Sequence, residues 1–144
     1  MVVDTNVLVY TVNRDCPEHE VARGWVEEFR RRPSPWFLTW GIIYEFLRVS
    51  THRRVLPDPL DGEGAWGFIE ALMASPSLEI LVPSPRHPQA LNDVVDGTPS
   101  ISGNLFHDAH TVVLMREHGV RQILTRDLGF HRFGGIEVVD PMGS

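Results

Sequence analysis

The chain has 144 residues, with 13 basic and 19 acidic side chains, a formal net charge of −6 and 42% hydrophobic residues. This length and apolar content suffice for a core without metal or disulfide staples, and they exclude disorder as the main state. Cys16 is the single cysteine and all 13 basic residues are arginine, which excludes a disulfide scaffold, a structural zinc site and any chemistry that requires lysine.

The opening Met1-Val2-Val3 is short and β-branched, and Asp4-Thr5-Asn6 follows at once, a cluster suited to turns and helix N-caps. A buried strand feeding a helix is predicted. Residues 17–32 carry Val21, Ala22, Trp25, Val26 and Phe29 at helical spacing, with Pro17 in the first turn. After Pro33-Ser34-Pro35, the run Trp36-Phe37-Leu38-Thr39 is predicted as the second strand, and residues 41–51 as a helix through Ile42, Ile43, Phe46 and Leu47. Residues 64–74 form a further helix despite two glycines.

Residues 78–82 between Pro76 and Pro83 are the third strand, and 88–95 a short helix ending at Gly97. A loop over 98–103 precedes the clearest helix of this half, 105–118, with Gly119 at the position that follows a helix end. Residues 122–125 and 136–139 read as the last two strands, separated by the polar segment 126–130. Short strands alternating with helices of 10 to 15 residues are the signature of βαβ units. The expected fold is therefore α/β, a three-layer α/β/α sandwich on a mostly parallel, roughly five-stranded sheet. No apolar run reaches the roughly 18–20 residues of a spanning helix. The opening also lacks the basic stretch of a secretory signal, so a cytoplasmic protein of one domain over residues 1–144 is expected.

In such sheets ligands bind beyond the carboxyl ends of the strands, and four acids fall there. Asp4 ends the first strand, Glu45 lies one and a half turns into the helix after the second, Asp108 opens the helix after the 98–103 loop, and Asp127 follows the fourth strand. Each has a simpler reading: Asp4 as a helix cap, Asp108 at a favourable helix dipole, Glu45 as a solvated helix residue, Asp127 as a turn starter. Together, four converging carboxylates repel one another unless cations neutralise them. Hard oxygen donors imply Mg²⁺ or Mn²⁺, one or two ions, and phosphodiester hydrolysis is the chemistry they serve.

The segments MVVDTNVLVY, TWGIIYEFLRVST, GNLFHDAHTVVLMREHG and ILTRDLGFHRFGGIEVVDP resemble those of PIN-domain ribonucleases of the VapC toxin type over essentially the whole chain. The resemblance implies a single PIN-like domain and Mg²⁺- or Mn²⁺-dependent cleavage of RNA. It also implies neutralisation by a small cognate antitoxin, and a homodimer. It assigns the acidic ligands to Asp4, Glu45, Asp108 and Asp127, with Asn6 and Thr125 hydrogen-bonding them from behind. One departure stands out. The family's Asp-x-Asp-Phe is here Asp127-Leu128-Gly129-Phe130, so the second metal has one carboxylate fewer and would draw on RNA phosphate.

Haloacid-dehalogenase phosphatases and receiver domains also carry an aspartate after the first strand, but they need a lysine this chain lacks. A histidine–aspartate hydrolase, suggested by His107-Asp108, would be all-helical. His107, His110 and His118 then read as surface or partly buried imidazoles, with RNA contact open for the first two. The arginine runs 30–32 and 53–54 read as solvated ends or as tracks for an RNA backbone. Trp25, Trp36, Trp40 and Trp66 read mostly as core, Trp40 alternatively as a base-stacking or dimer residue. Residues 60–73 are a candidate groove for an antitoxin helix. The rival function is a catalytically weak or inactive PIN-like binding module, suggested by Gly129.

Overall fold

The computed structural model describes residues 1–143. In chain order the elements are β1 (Val2–Val3), α1 (Thr5–Val12), α2 (His19–Arg31), β2 (Trp36–Thr39), α3 (Trp40–Ser50), α4 (Gly62–Met73), β3 (Leu78–Leu81), α5 (His87–Gly97) and α6 (Leu105–Glu117). β4 (Gln122–Leu124), a 3-10 helix (Leu128–Arg132) and β5 (Glu137–Val139) complete the fold. No helix among the described residues is long and apolar enough to cross a membrane.

All four strand pairings are parallel, and the sheet order is β3-β2-β1-β4-β5. Parallel neighbours need crossovers, and the right-handed rule places α1 to α4 on one face and α5 and α6 on the other. The three-layer α/β/α expectation therefore holds. Val2 lies opposite both Phe37 and Ile123, and Val3 opposite Leu124. β1 is thus the central strand, and both of its valines are fully buried. The chain winds outward from β1 through β2 and β3, then returns to lay β4 on its other side. That reversal opens a crevice between the carboxyl ends of β1 and β4.

Helix boundaries differ from the sequence expectation by one or two residues where capping side chains decide them. Thr39 accepts a hydrogen bond on its hydroxyl from Ile42 N at 3.0 Å, so α3 begins at Trp40. Asp61 accepts from Gly64 N at 2.6 Å, so α4 begins at Gly62. The segment after β4, read as polar connection, winds into the 3-10 helix because Asp127 caps it. Gly119 follows α6 at φ 68°, the left-handed position expected of it.

The core joins both faces of the sheet: Trp36 stacks on Phe29 of α2 with centroids 5.5 Å apart, and residues 111–115 of α6 are buried all round. Two tryptophans and one valine depart from the core reading. Trp40, Trp66 and Val21 are exposed; the two tryptophans border, with Tyr44, an apolar groove of about 530 Å³ between α3 and α4. The arginine run 30–32 is a solvated helix end: Arg30 pairs with Glu27, and Arg31 and Arg32 pair with Glu28.

Candidate active site

Asp4 leaves β1 in extended conformation and turns the chain into α1, its Oδ1 accepting from Thr5 N at 2.8 Å. Its Oδ2 accepts from the Thr125 hydroxyl at 2.7 Å and from Asn6 Nδ2 at 3.2 Å. Asn6 Nδ2 also donates to Thr125 Oγ1 at 2.9 Å, and its Oδ1 accepts from Arg126 N at 3.2 Å. Asp127 N donates to the same Thr125 Oγ1 at 2.9 Å. Thr125 therefore links the ends of β1 and β4, fixing Asp4 and starting the Asp127 loop at the reversal of strand order.

Asp127 accepts from Gly129 N at 2.8 Å through its Oδ1. Gly129 brings its backbone against two acids: a Cβ there would lie 3.0 Å from Asp108 Oδ2 and 3.1 Å from Asp127 Oδ1. Asp108 projects from the first turn of α6, where the helix dipole favours an anion. Glu45 projects from the middle of α3, and Arg48, one turn further on, grips both of its oxygens at 3.1 and 2.5 Å. All four acids predicted from sequence line one pocket of about 330 Å³ with Asn6, Thr5, Val9, Tyr10, Val49, Val55 and His107.

The electrostatics of the pocket follow from this crowding. Burial raises the Asp4 carboxyl above the usual range, against the Thr125 and Thr5 hydrogen bonds that lower it. Asp108 is pushed up to about 7, by burial first and then by the charges of Asp127 and Asp4 and a hydrogen bond with Asp127. Glu45 moves the other way, held down chiefly by the Arg48 hydrogen bond.

A cluster of carboxylates with one member driven to hold a proton near neutrality is short of positive charge, and its all-oxygen donors suit Mg²⁺ or Mn²⁺. The cage is not preassembled: among the described residues no group of three or more His, Cys, Asp or Glu side chains stands ready to hold a metal ion. The donor set fits the ion in type and charge.

Sequence reasoning missed part of the lining. Asn6, Val9 and Tyr10 share one face of α1 at i, i+3 and i+4, and Glu45 and Val49 share one face of α3. That spacing is a signal the sequence carried. Val55, from the loop after α3, gave none. His107, read as a surface imidazole, is exposed and lines the pocket.

A parallel three-layer sandwich with an acidic pocket at its strand-order reversal defines a class, and comparison with known proteins narrows it. The PIN domain family model matches residues 1–136, and the chain belongs to the PIN-domain family. It is 36% identical over 138 residues to Ribonuclease VapC48 of Mycobacterium tuberculosis, covering 96% of this chain and 94% of that one. It is 35% identical over 131 residues to Ribonuclease VapC43 of the same species, covering 91% and 88%. The fold matches the crystal structure of VapBC2 from Rickettsia felis bound to a DNA fragment from their promoter, with TM-score 0.67, 15% identity and 96% of each chain covered.

Proposed function

We propose that this protein is a metal-dependent endoribonuclease, the toxin of a toxin–antitoxin pair. The observation that carries the reading is the convergence of four carboxylates from four separate segments on one pocket at the β1/β4 crevice, in a chain whose relatives are named ribonucleases. Asp4, Glu45, Asp108 and Asp127 are assigned as ligands of Mg²⁺ or Mn²⁺. An ion bound there would supply Lewis-acid activation of a water and charge neutralisation for the phosphodiester.

The chain's own residues do the rest. Thr125 and Asn6 each donate a hydrogen bond to Asp4 and are tied to each other by a third, so the most buried of the four acids is held in one orientation. Burial and the charges of Asp127 and Asp4 push the Asp108 carboxyl up to about 7, and a cation in the pocket would offset those charges and favour its ionised form. Asp127 rides on the 3-10 helix and is tied to it by Gly129 N. His107 stands at the pocket wall, where an imidazole meets a substrate phosphate or ribose.

An antitoxin as partner is supported by the groove between α3 and α4, whose apolar lining includes Trp40, Tyr44, Leu47 and Trp66 and suits an amphipathic helix. A homodimer, a cytoplasmic location and a single PIN domain over 1–144 belong to the same reading. The rival, a binding module without turnover, draws on Gly129 in place of a second loop carboxylate and on the absence of a preassembled cage among the described residues.

Incubation of total bacterial RNA with the purified protein in Mn²⁺, Mg²⁺ or EDTA, beside the double variant Asp4→Asn/Asp108→Asn, separates the two. Discrete fragments that require metal and disappear in the variant are expected. Intact RNA in every lane, from protein free of bound partner and with no Mn²⁺ uptake, would establish the binding module instead.

A further inference from the structure

Arg48 is the one arginine among the described residues that ion-pairs with an acid of the pocket, its fork closing on both Glu45 oxygens. The other arginine beside the site, Arg126, is engaged elsewhere, with Glu18 at 3.3 Å and Asp140 at 3.5 Å. Asp4 and Asp127 meet hydroxyl, amide and backbone donors instead. One acid of the four is therefore already paired with a cation of the protein's own.

We propose that Arg48 is a tethered counter-cation that competes with the divalent ion for Glu45 and so sets how readily the pocket loads. The inference rests on the metal-site reading above. A carboxylate gripped by a planar fork has its oxygens oriented toward the guanidinium, and a divalent ion approaching that carboxylate is repelled by the same charge. The Arg48 side chain is 64% exposed and that of Glu45 28%. The arginine therefore rotates into solvent at little cost, since exposed pairs one helical turn apart are weak.

The arrangement sets a sign. Removing Arg48 frees Glu45 and removes a repelling charge, so ion binding tightens; without Glu45 the competition has nothing to act on.

The test is Mn²⁺ binding to the full chain, by calorimetry and by electron paramagnetic resonance of the free ion. It uses wild type, Arg48→Ala, Arg48→Gln, Glu45→Gln, Glu45→Gln/Arg48→Ala and Asp108→Asn. Both Arg48 single variants are expected to bind Mn²⁺ about two- to fivefold more tightly than wild type, the range an exposed pair supports. In the Glu45→Gln background the gain should vanish.

Unchanged or weaker binding in both Arg48 variants overturns the proposal, while wild-type uptake that Asp108→Asn abolishes leaves the metal site standing. Equal tightening with and without Glu45 also overturns it, as a general charge effect. No uptake by any variant removes the metal site and this inference together.

Discussion

Asp108 occupies a position that a helix dipole favours, yet its carboxyl is pushed up to about 7 by burial and by Asp127 and Asp4. The unfolded chain ionises this group near 3.8. Between those values the folded state holds the extra proton, so its contribution to stability falls as pH rises through the window. In EDTA, the melting temperature of wild type should decline from pH 5 to 7.5 more steeply than that of Asp108→Asn, which should equal or exceed wild type at pH 7.5. A large loss of melting temperature in Asp108→Asn would make the residue structural. Glu117 titrates in the opposite sense: burial would raise it, but hydrogen bonds from His87 and Ser84 carry it below the usual range.

At the scale of elements, the short 3-10 helix places two acids against a backbone with no side chain. Gly129 is not in the left-handed region, so its role is close approach rather than conformational freedom. Gly129→Ala would put a methyl group 3.0 Å from Asp108 Oδ2 and 3.1 Å from Asp127 Oδ1, and both carboxylates must give way by a few tenths of an ångström. The expected outcome is a folded protein within about 1 kcal/mol of wild type by denaturant unfolding, with weaker Mn²⁺ binding and slower RNA cleavage. Unchanged binding would show that the acids close on the ion from a different geometry.

The same scale explains which elements the sequence announced. β2 was legible to the residue because Trp36-Phe37-Leu38-Thr39 is apolar, bounded by Pro35 and closed by a capping threonine. The 3-10 helix was not, since Asp127-Leu128-Gly129 reads as a turn until the Asp127 cap is seen. Glu117, at the end of α6, was passed over. Its side chain is fully buried, bonding Ser84 N and Oγ at 2.8 and 2.7 Å and pairing with His87, and no local pattern marks a charged residue for the interior.

Over the whole molecule, anions are gathered at one crevice of an acidic protein, so an ion that binds only the folded state stabilises it by mass action. Mn²⁺ at about 100 times its dissociation constant should add about 2.7 kcal/mol to the unfolding free energy at pH 7.5. Asp4→Asn/Asp108→Asn should show almost none of this. Equal stabilisation of the two proteins in denaturant titrations would place the ion elsewhere.

What the sequence determined by itself was the order and type of the strands and α-helices, the parallel α/β class, and the four acids at strand ends or early helix turns. Those properties are local: period, capping chemistry and position relative to a strand. The tertiary structure decided the rest. It brought Thr125 to Asp4 across 121 positions of chain, added Val55 and His107 to the pocket wall, exposed Trp40 and Trp66 and set Arg48 on Glu45. Each of these depends on how the crossovers pack over the sheet and which rotamers the packing leaves open, and residues distant in the chain do not record that in their spacing.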